Sequence, residues 1–239
     1  MTGTFLNIAT VLIGGIIGLL FGARIPERFK STVIAGMGLF TFAMGVQMFL
    51  KTENPLIVLG ALLIGALLGE WTRIEDGLHK LGASLEKCFA RDDSEEGSAK
   101  FVRGFLTASL LFCVGPMTIL GSLQDGLTGN YELLAVKSVL DGFAAMAFAS
   151  TLGMGVLFSS VIILVYQGGL SLLAGWLSPI ISETMMAEMT ATGGVLLMAL
   201  AVSSLLEIKK IRVGNFLPAL FVAPLIVWIL SLLSSNPLP

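Results

Sequence analysis

Charge is scarce in this sequence: 14 Lys or Arg and 16 Asp or Glu make up 13% of 239 residues, and His79 is the single histidine. A soluble domain carries roughly 25% charged residues, and so few could not cover a core of this size without large apolar patches. Lipid must therefore be the solvent for most of the chain. The net charge of −2 leaves no basic footprint for nucleic acid. Cys88 and Cys113 sit in dissimilar segments, which argues against a disulfide framework, and with one histidine no metal-ligand spacing arises. There is no Walker sequence, and a Ser-His-Asp triad could be built only through His79. The chain reads as neither an enzyme nor a cofactor protein.

What is present is long uncharged sequence. Seven stretches lack Asp, Glu, Lys and Arg: 1–23, 31–50, 54–69, 104–124, 142–182, 189–206 and 213–239. A bilayer core of ~30 Å needs ~20 apolar residues in a helix, so six of these read as one crossing each. The run 142–182, extended back to Leu133, has room for two crossings with a turn near Leu152–Gly155. These runs are apolar on every side, which excludes the alternation of a barrel strand. The expected fold is all-α, a polytopic bundle of about eight transmembrane helices.

Orientation follows from the basic residues, which cytoplasmic loops retain. With both termini outside, the inner segments hold Arg24, Arg28, Lys30, Arg73, Lys80, Lys87, Arg91, Lys100, Arg103, Lys209, Lys210 and Arg212, 12 of the 14. Lys51 and Lys137 are the exceptions. Met1–Asn7 has no basic n-region and no small-residue cleavage site follows, so the first run reads as a retained helix. Four segments result: a triplet at 1–71, a cytoplasmic piece at 72–103, a central pair at 104–151 and a second triplet at 152–239. The piece 72–103 combines Ile74, Leu78, Leu81, Leu85 and Phe89 at helical spacing with the acidic run Asp92-Asp93-Ser94-Glu95-Glu96, an amphipathic surface helix and loop. Glycine patterns at Gly14-Gly15, Gly36-Met37-Gly38, Gly153-Met154-Gly155 and Gly193-Gly194 suggest an inverted 3+2+3 repeat with broken helices.

Lys137 and Asp141 stand inside the fifth apolar segment, four residues apart and so on one helical face. Each charge at such depth costs at least ~2.5–3.5 kcal/mol on insertion scales and marks a functional candidate. The alternative is a buried pair that fixes packing, or a lysine that snorkels outward. Gly115-Pro116 breaks the fourth segment, freeing carbonyls that need partners or a wet cavity. Gln167-Gly168-Gly169 and Gly175–Pro179 are further candidate breaks. Thr118, Ser122 and Ser138 could add hydroxyl ligands to a cation shell, and Gln47 and Asn215 are neutral amides that could coordinate a polar solute or pack. Asp125 and Glu132 read as outer-loop carboxylates, and Glu70 with Trp71 as an interfacial anchor.

The run from Phe101 through Cys113-Val114-Gly115-Pro116-Met117-Thr118 to Asp125-Gly126 resembles the bacterial integral-membrane family catalogued as domain of unknown function 554. So do Lys137-Ser138-Val139-Leu140-Asp141-Gly142, Gly193-Gly194, Lys210–Ala219 and Arg24-Ile25-Pro26-Glu27-Arg28. The resemblance covers essentially the whole chain and implies a bacterial inner-membrane protein, but supplies no substrate or site residues. The residues themselves point to a small secondary transporter or ion-coupled permease. Its partners would be the bilayer and a small solute or ion, it would use sodium or a proton for coupling, and it could be a homo-oligomer. A passive ion channel and a non-transporting scaffold or sensor are the competing readings.

Overall fold

The computed structural model describes residues 1–22, 26–89 and 95–233. Arg24, Ile25, Arg91, Asp92, Asp93 and Ser94 lie outside these, so the structure does not address the acidic run as a whole. Among the described residues there are helices and turns but no strands, and eight segments are long and apolar enough to cross a membrane. They are Thr2–Gly22, Arg28–Phe49, Pro55–Thr72, Gly97–Val114, Glu132–Leu152, Gly155–Leu172, Glu183–Leu205 and Val213–Leu233. The all-α polytopic expectation holds.

Several boundaries differ from the charge-free runs. The fourth span begins at Gly97 rather than at 104, because Lys100 and Arg103 sit in the first turns of a helix, α5, Glu95–Val114. The surface piece expected at 72–103 therefore shortens to α4, Ile74–Phe89. At Gly115 the helix breaks, with φ −75° and ψ 148°, the extended geometry that a following proline imposes. A separate helix, α6, Pro116–Thr128, follows. The turn at 152–155 is where the uncharged run requires it: α7, Glu132–Leu152, gives way to α8, Gly155–Leu172, through Gly153 at φ 82°. A side chain at Gly153 would be strained there.

In contrast, Gln167-Gly168-Gly169 does not break α8, which runs on to Leu172. Glycine weakens a helix by roughly 1 kcal/mol, and here Gln167 is anchored by its own hydrogen bonds to α1, Thr2–Gly22. After it come only a single turn, α9, Ala174–Leu177, and the turn at Ser178–Ile180. Asn215, expected within the eighth helix, lies in a 3-10 turn, Val213–Phe216, that precedes α11, Ala219–Leu233.

The chain forms two compact units that cut across the four chain-order segments. The first comprises Met1–Met37 and Leu78–Ser178, and the second Gly38–Gly77 and Pro179–Pro239. In the first unit α1 runs parallel to α7 in a register of four-residue steps. A Cβ on Gly14 would lie 2.1 Å from the Gly142 carbonyl oxygen, one on Gly18 2.1 Å from that of Met146, and one on Gly22 2.7 Å from that of Ser150. Such backbone contact is the usual reason for small residues one turn apart in membrane helices. α5 and α6 both accompany α8 in the same direction, Phe101 against Gly155 and Gly126 against Ser171, so together they form one broken crossing.

In the second unit, α2, Glu27–Phe49, contributes its later half and packs antiparallel to α10, Glu183–Leu200. Gly45 and Gly194 meet reciprocally: a Cβ on either would lie within 2.6 Å of the other's carbonyl oxygen. α3, Pro55–Thr72, packs antiparallel to α11, with Ala61, Ala219, Val222 and Ala223 as a shared core. Gly18→Leu should therefore push α1 off α7 and cost at least the ~1–3 kcal/mol of an overpacked core. Gly36→Ala, where a Cβ meets nothing within 4 Å, should leave the melt unchanged. Thermal unfolding of the two variants in detergent, read by size-exclusion chromatography, checks this.

Candidate functional site

α7 presents Asp141 as the tenth of its 21 residues, about 14 Å along the axis and hence near the middle of a crossing. Lys137 lies one turn earlier on the same face, and the two side chains are 6% and 12% exposed. The Lys137 ammonium donates to Asp141 Oδ2. That oxygen also accepts from Asn7 Nδ2 of α1 at 3.0 Å, and the same amide nitrogen donates to Gln167 Oε1 of α8 at 3.0 Å. Gln167 Nε2 in turn donates to Thr4 Oγ1 at 3.4 Å. One carboxylate, one ammonium and two amides thus tie three helices together in the interior of the first unit.

Packing explains why these groups meet. The parallel register of α1 and α7 sets Gly3 against Leu134 and Gly14 against Gly142. Asn7 lies between those two contacts, opposite the charged turn of α7. Thr4, Asn7, Val11, Gly14 and Gly18 are all buried and recur at steps of three and four, so one face of α1 is small or polar apart from Val11. Asn7 and Thr4 were not singled out in the sequence because a scan for charge passes over neutral groups. The face periodicity carried the signal. Gln167 drew notice only as a suspected helix breaker.

The other predicted residues divide. The broken crossing reaches α7 through α6, where a Cβ on Gly121 would lie 2.7 Å from the side chain of Leu134, about one turn before Lys137. Thr118 repairs the break: its hydroxyl donates to the Phe112 carbonyl at 3.0 Å, and its backbone N–H donates to Gly115 O. Pro116 opens α6, where its missing N–H costs nothing. Ser138 turns back on its own helix, donating to Leu134 O at 2.6 Å. Ser122 is buried, and its hydroxyl has no partner among the described residues. Gln47 is exposed on α2, and Asn215 belongs to the second unit.

Asp125 departs most from expectation. It is a buried residue of α6 rather than a solvated loop carboxylate, and its Oδ2 accepts from Gly3 N at 3.1 Å and pairs with the Met1 amino group at 2.9 Å. Glu132 is simply the first residue of α7.

The second unit has its own polar contacts. Glu188 of α10 is fully buried, and its carboxylate accepts from Thr52 Oγ1 at 2.7 Å and from the Glu53 and Asn54 N–H groups at 2.9 Å, holding the start of α3. It lies one residue before the charge-free run 189–206 and so fell outside the crossing read from sequence. Asn215 Oδ1 accepts from Glu75 N at 2.8 Å while Glu75 accepts from Gly214 N at 2.6 Å, so each caps the other's helical turn. Glu70 does not act as a free interfacial group beside Trp71. It accepts from Arg212 at 2.8 Å and from Asn215 Nδ2 at 2.5 Å.

Residues 2–228 match the model of the family described as "Protein of unknown function (DUF554)". The chain belongs to this family. A relative in Escherichia coli (strain K12), the uncharacterised protein YqgA, is 35% identical over 222 residues, 92% of this chain and 94% of its own. The uncharacterised membrane protein YdfK of Bacillus subtilis (strain 168) is 29% identical over 234 residues, 96% and 97% of the two chains. No solved structure matches. Family membership agrees with the eight apolar helices in making this a membrane protein.

Removing one partner of a buried ion pair strands the other charge and costs about 3–5 kcal/mol, whereas replacing both with apolar residues is often neutral. Lys137→Met alone should sharply reduce stability. The double variant Lys137→Met/Asp141→Leu should recover most of it, as measured by thermal unfolding of the purified proteins.

Proposed function

We propose that this family member is an inner-membrane secondary transporter or ion-coupled permease for a small solute or cation, with its binding position at Asp141. The observation that carries the reading is an ionisable pair buried near mid-helix, cross-linked by amides to two further helices and set beside a broken crossing. Polar backbone and charge at membrane depth are costly, and they concentrate where a substrate or ion passes. Asp141 takes the cation or proton, and Lys137 neutralises it in the state seen here.

The antiparallel partners support an inverted-repeat architecture. α1 packs on α8, with Asn7 beside Gln167 and Gly15 against Leu157; α2 packs on α10 and α3 on α11. Within its own unit, each of these pairs joins one of the first three crossings to its counterpart among the last three, the pairing that inverted repeats produce. The basic residues favour termini outside the cell.

The burial of the pair, with both side chains nearly closed to solvent, favours one competing reading, a non-transporting scaffold in which the pair only fixes packing. Reconstitution into proteoliposomes separates the two. Under the transport reading, a sodium or proton gradient drives saturable uptake with counterflow, and Asp141→Asn abolishes it. Flux without saturation would instead identify a channel. Absence of flux for every solute tested would establish the scaffold. A phosphatase fused after Pro239 should be active in Escherichia coli; an inactive fusion with a fluorescent cytoplasmic reporter at the same position would reverse the orientation.

A further inference from the structure

The side chains around Asp141 form more than an ion pair. Both donors converge on Asp141 Oδ2, and neither uses Oδ1. Asn7 is fully buried, and its Oδ1 has no partner among the described residues although its Nδ2 makes two bonds. Gln167, also fully buried, contributes Oε1 to the same cluster. Apart from the ammonium of Lys137 and the two amide nitrogens, the donors here are oxygens, the preferred ligands of hard cations.

Charge balance decides the class of ion. The cluster holds one carboxylate and one ammonium, so an ion that replaces the ammonium without leaving net charge must be monovalent. Lysine is suited to leaving: its charge rides on a flexible four-carbon stem, and Lys137 is only one turn from Asp141 toward the start of α7, with the short distance to the helix end that snorkelling requires.

We propose that the Lys137 ammonium is a tethered occupant of an alkali-cation site built from Asp141 and Gln167 Oε1, which Asn7 Oδ1 joins when the Asn7 amide, whose Nδ2 now lies between those two oxygens, turns over. A free monovalent cation enters when Lys137 swings away. This rests on the transport reading for its purpose, but the binding can be measured without any flux.

The test is the thermal unfolding of purified Lys137→Met as sodium chloride replaces choline chloride at constant ionic strength, with lithium and potassium as further arms. The expected result is a saturable rise of several degrees in one or more alkali salts, larger than in the wild type. The rise should vanish in Lys137→Met/Asp141→Asn and shrink in Lys137→Met/Asn7→Leu. Identical melts in all four salts would overturn the proposal and leave a proton as the ion.

Should Lys137→Met fail to fold, hydrogen exchange of residues 132–152 in the wild type supplies the answer. Altered protection in an alkali salt relative to choline supports the site, and unchanged protection overturns it. Cation binding without flux would remove transport and keep the site, whereas flux without cation binding would do the reverse.

Discussion

Inside a bilayer there is no water to satisfy a polar group, so each one must find its partner within the chain. That constraint organises the first unit around Asp141. Its carboxylate is tolerable at mid-helix only because Lys137 neutralises it and Asn7 donates to it. Asn7 can do so only because Gly14 and Gly18 let α1 lie against the backbone of α7. Removing the close approach would move the amide away and leave the pair less well solvated. Packing and electrostatics at this place are therefore one requirement.

The same constraint shapes the broken crossing. The end of α5 leaves the Phe112 carbonyl without a helical partner, and Thr118 donates to it from its own side chain. The break is thus maintained rather than open. In the second unit Glu188 applies the principle to a loop, accepting from Thr52, Glu53 and Asn54 where α3 begins. Buried carboxylates in both units are stabilised by donors from sequence-distant segments.

How much of this was legible depended on the type of group. Charge-free runs gave eight crossings because burial of a charge in lipid carries a penalty that no local propensity offsets. The turn at Gly153 and the break at Gly115 followed from the chemistry of glycine and proline. Asp125 was misplaced because the charge-free run 104–124 ends immediately before it, while α6 carries its helix to Thr128 and ends only at Gly129. Gln167 was mistaken for part of a break because glycine pairs in membrane helices serve packing as often as bending. Asn7 and Glu188 escaped notice for opposite reasons, one being uncharged within a crossing and the other charged at the edge of one.

By itself the sequence determined that lipid is the solvent, which segments are long and apolar enough to cross it, and that Lys137 and Asp141 share a helical face. These are local or additive properties, set by hydropathy and by the 3.6-residue turn. Only the tertiary structure decided that Asn7 and Gln167 complete the surroundings of the pair, that Asp125 is buried, and that Gln47 is exposed on α2 of the second unit. Those outcomes depend on which helices lie side by side and in what register. Gly14, Gly18 and Gly22 fix that register through backbone contact with residues far along the chain, which no local pattern specifies.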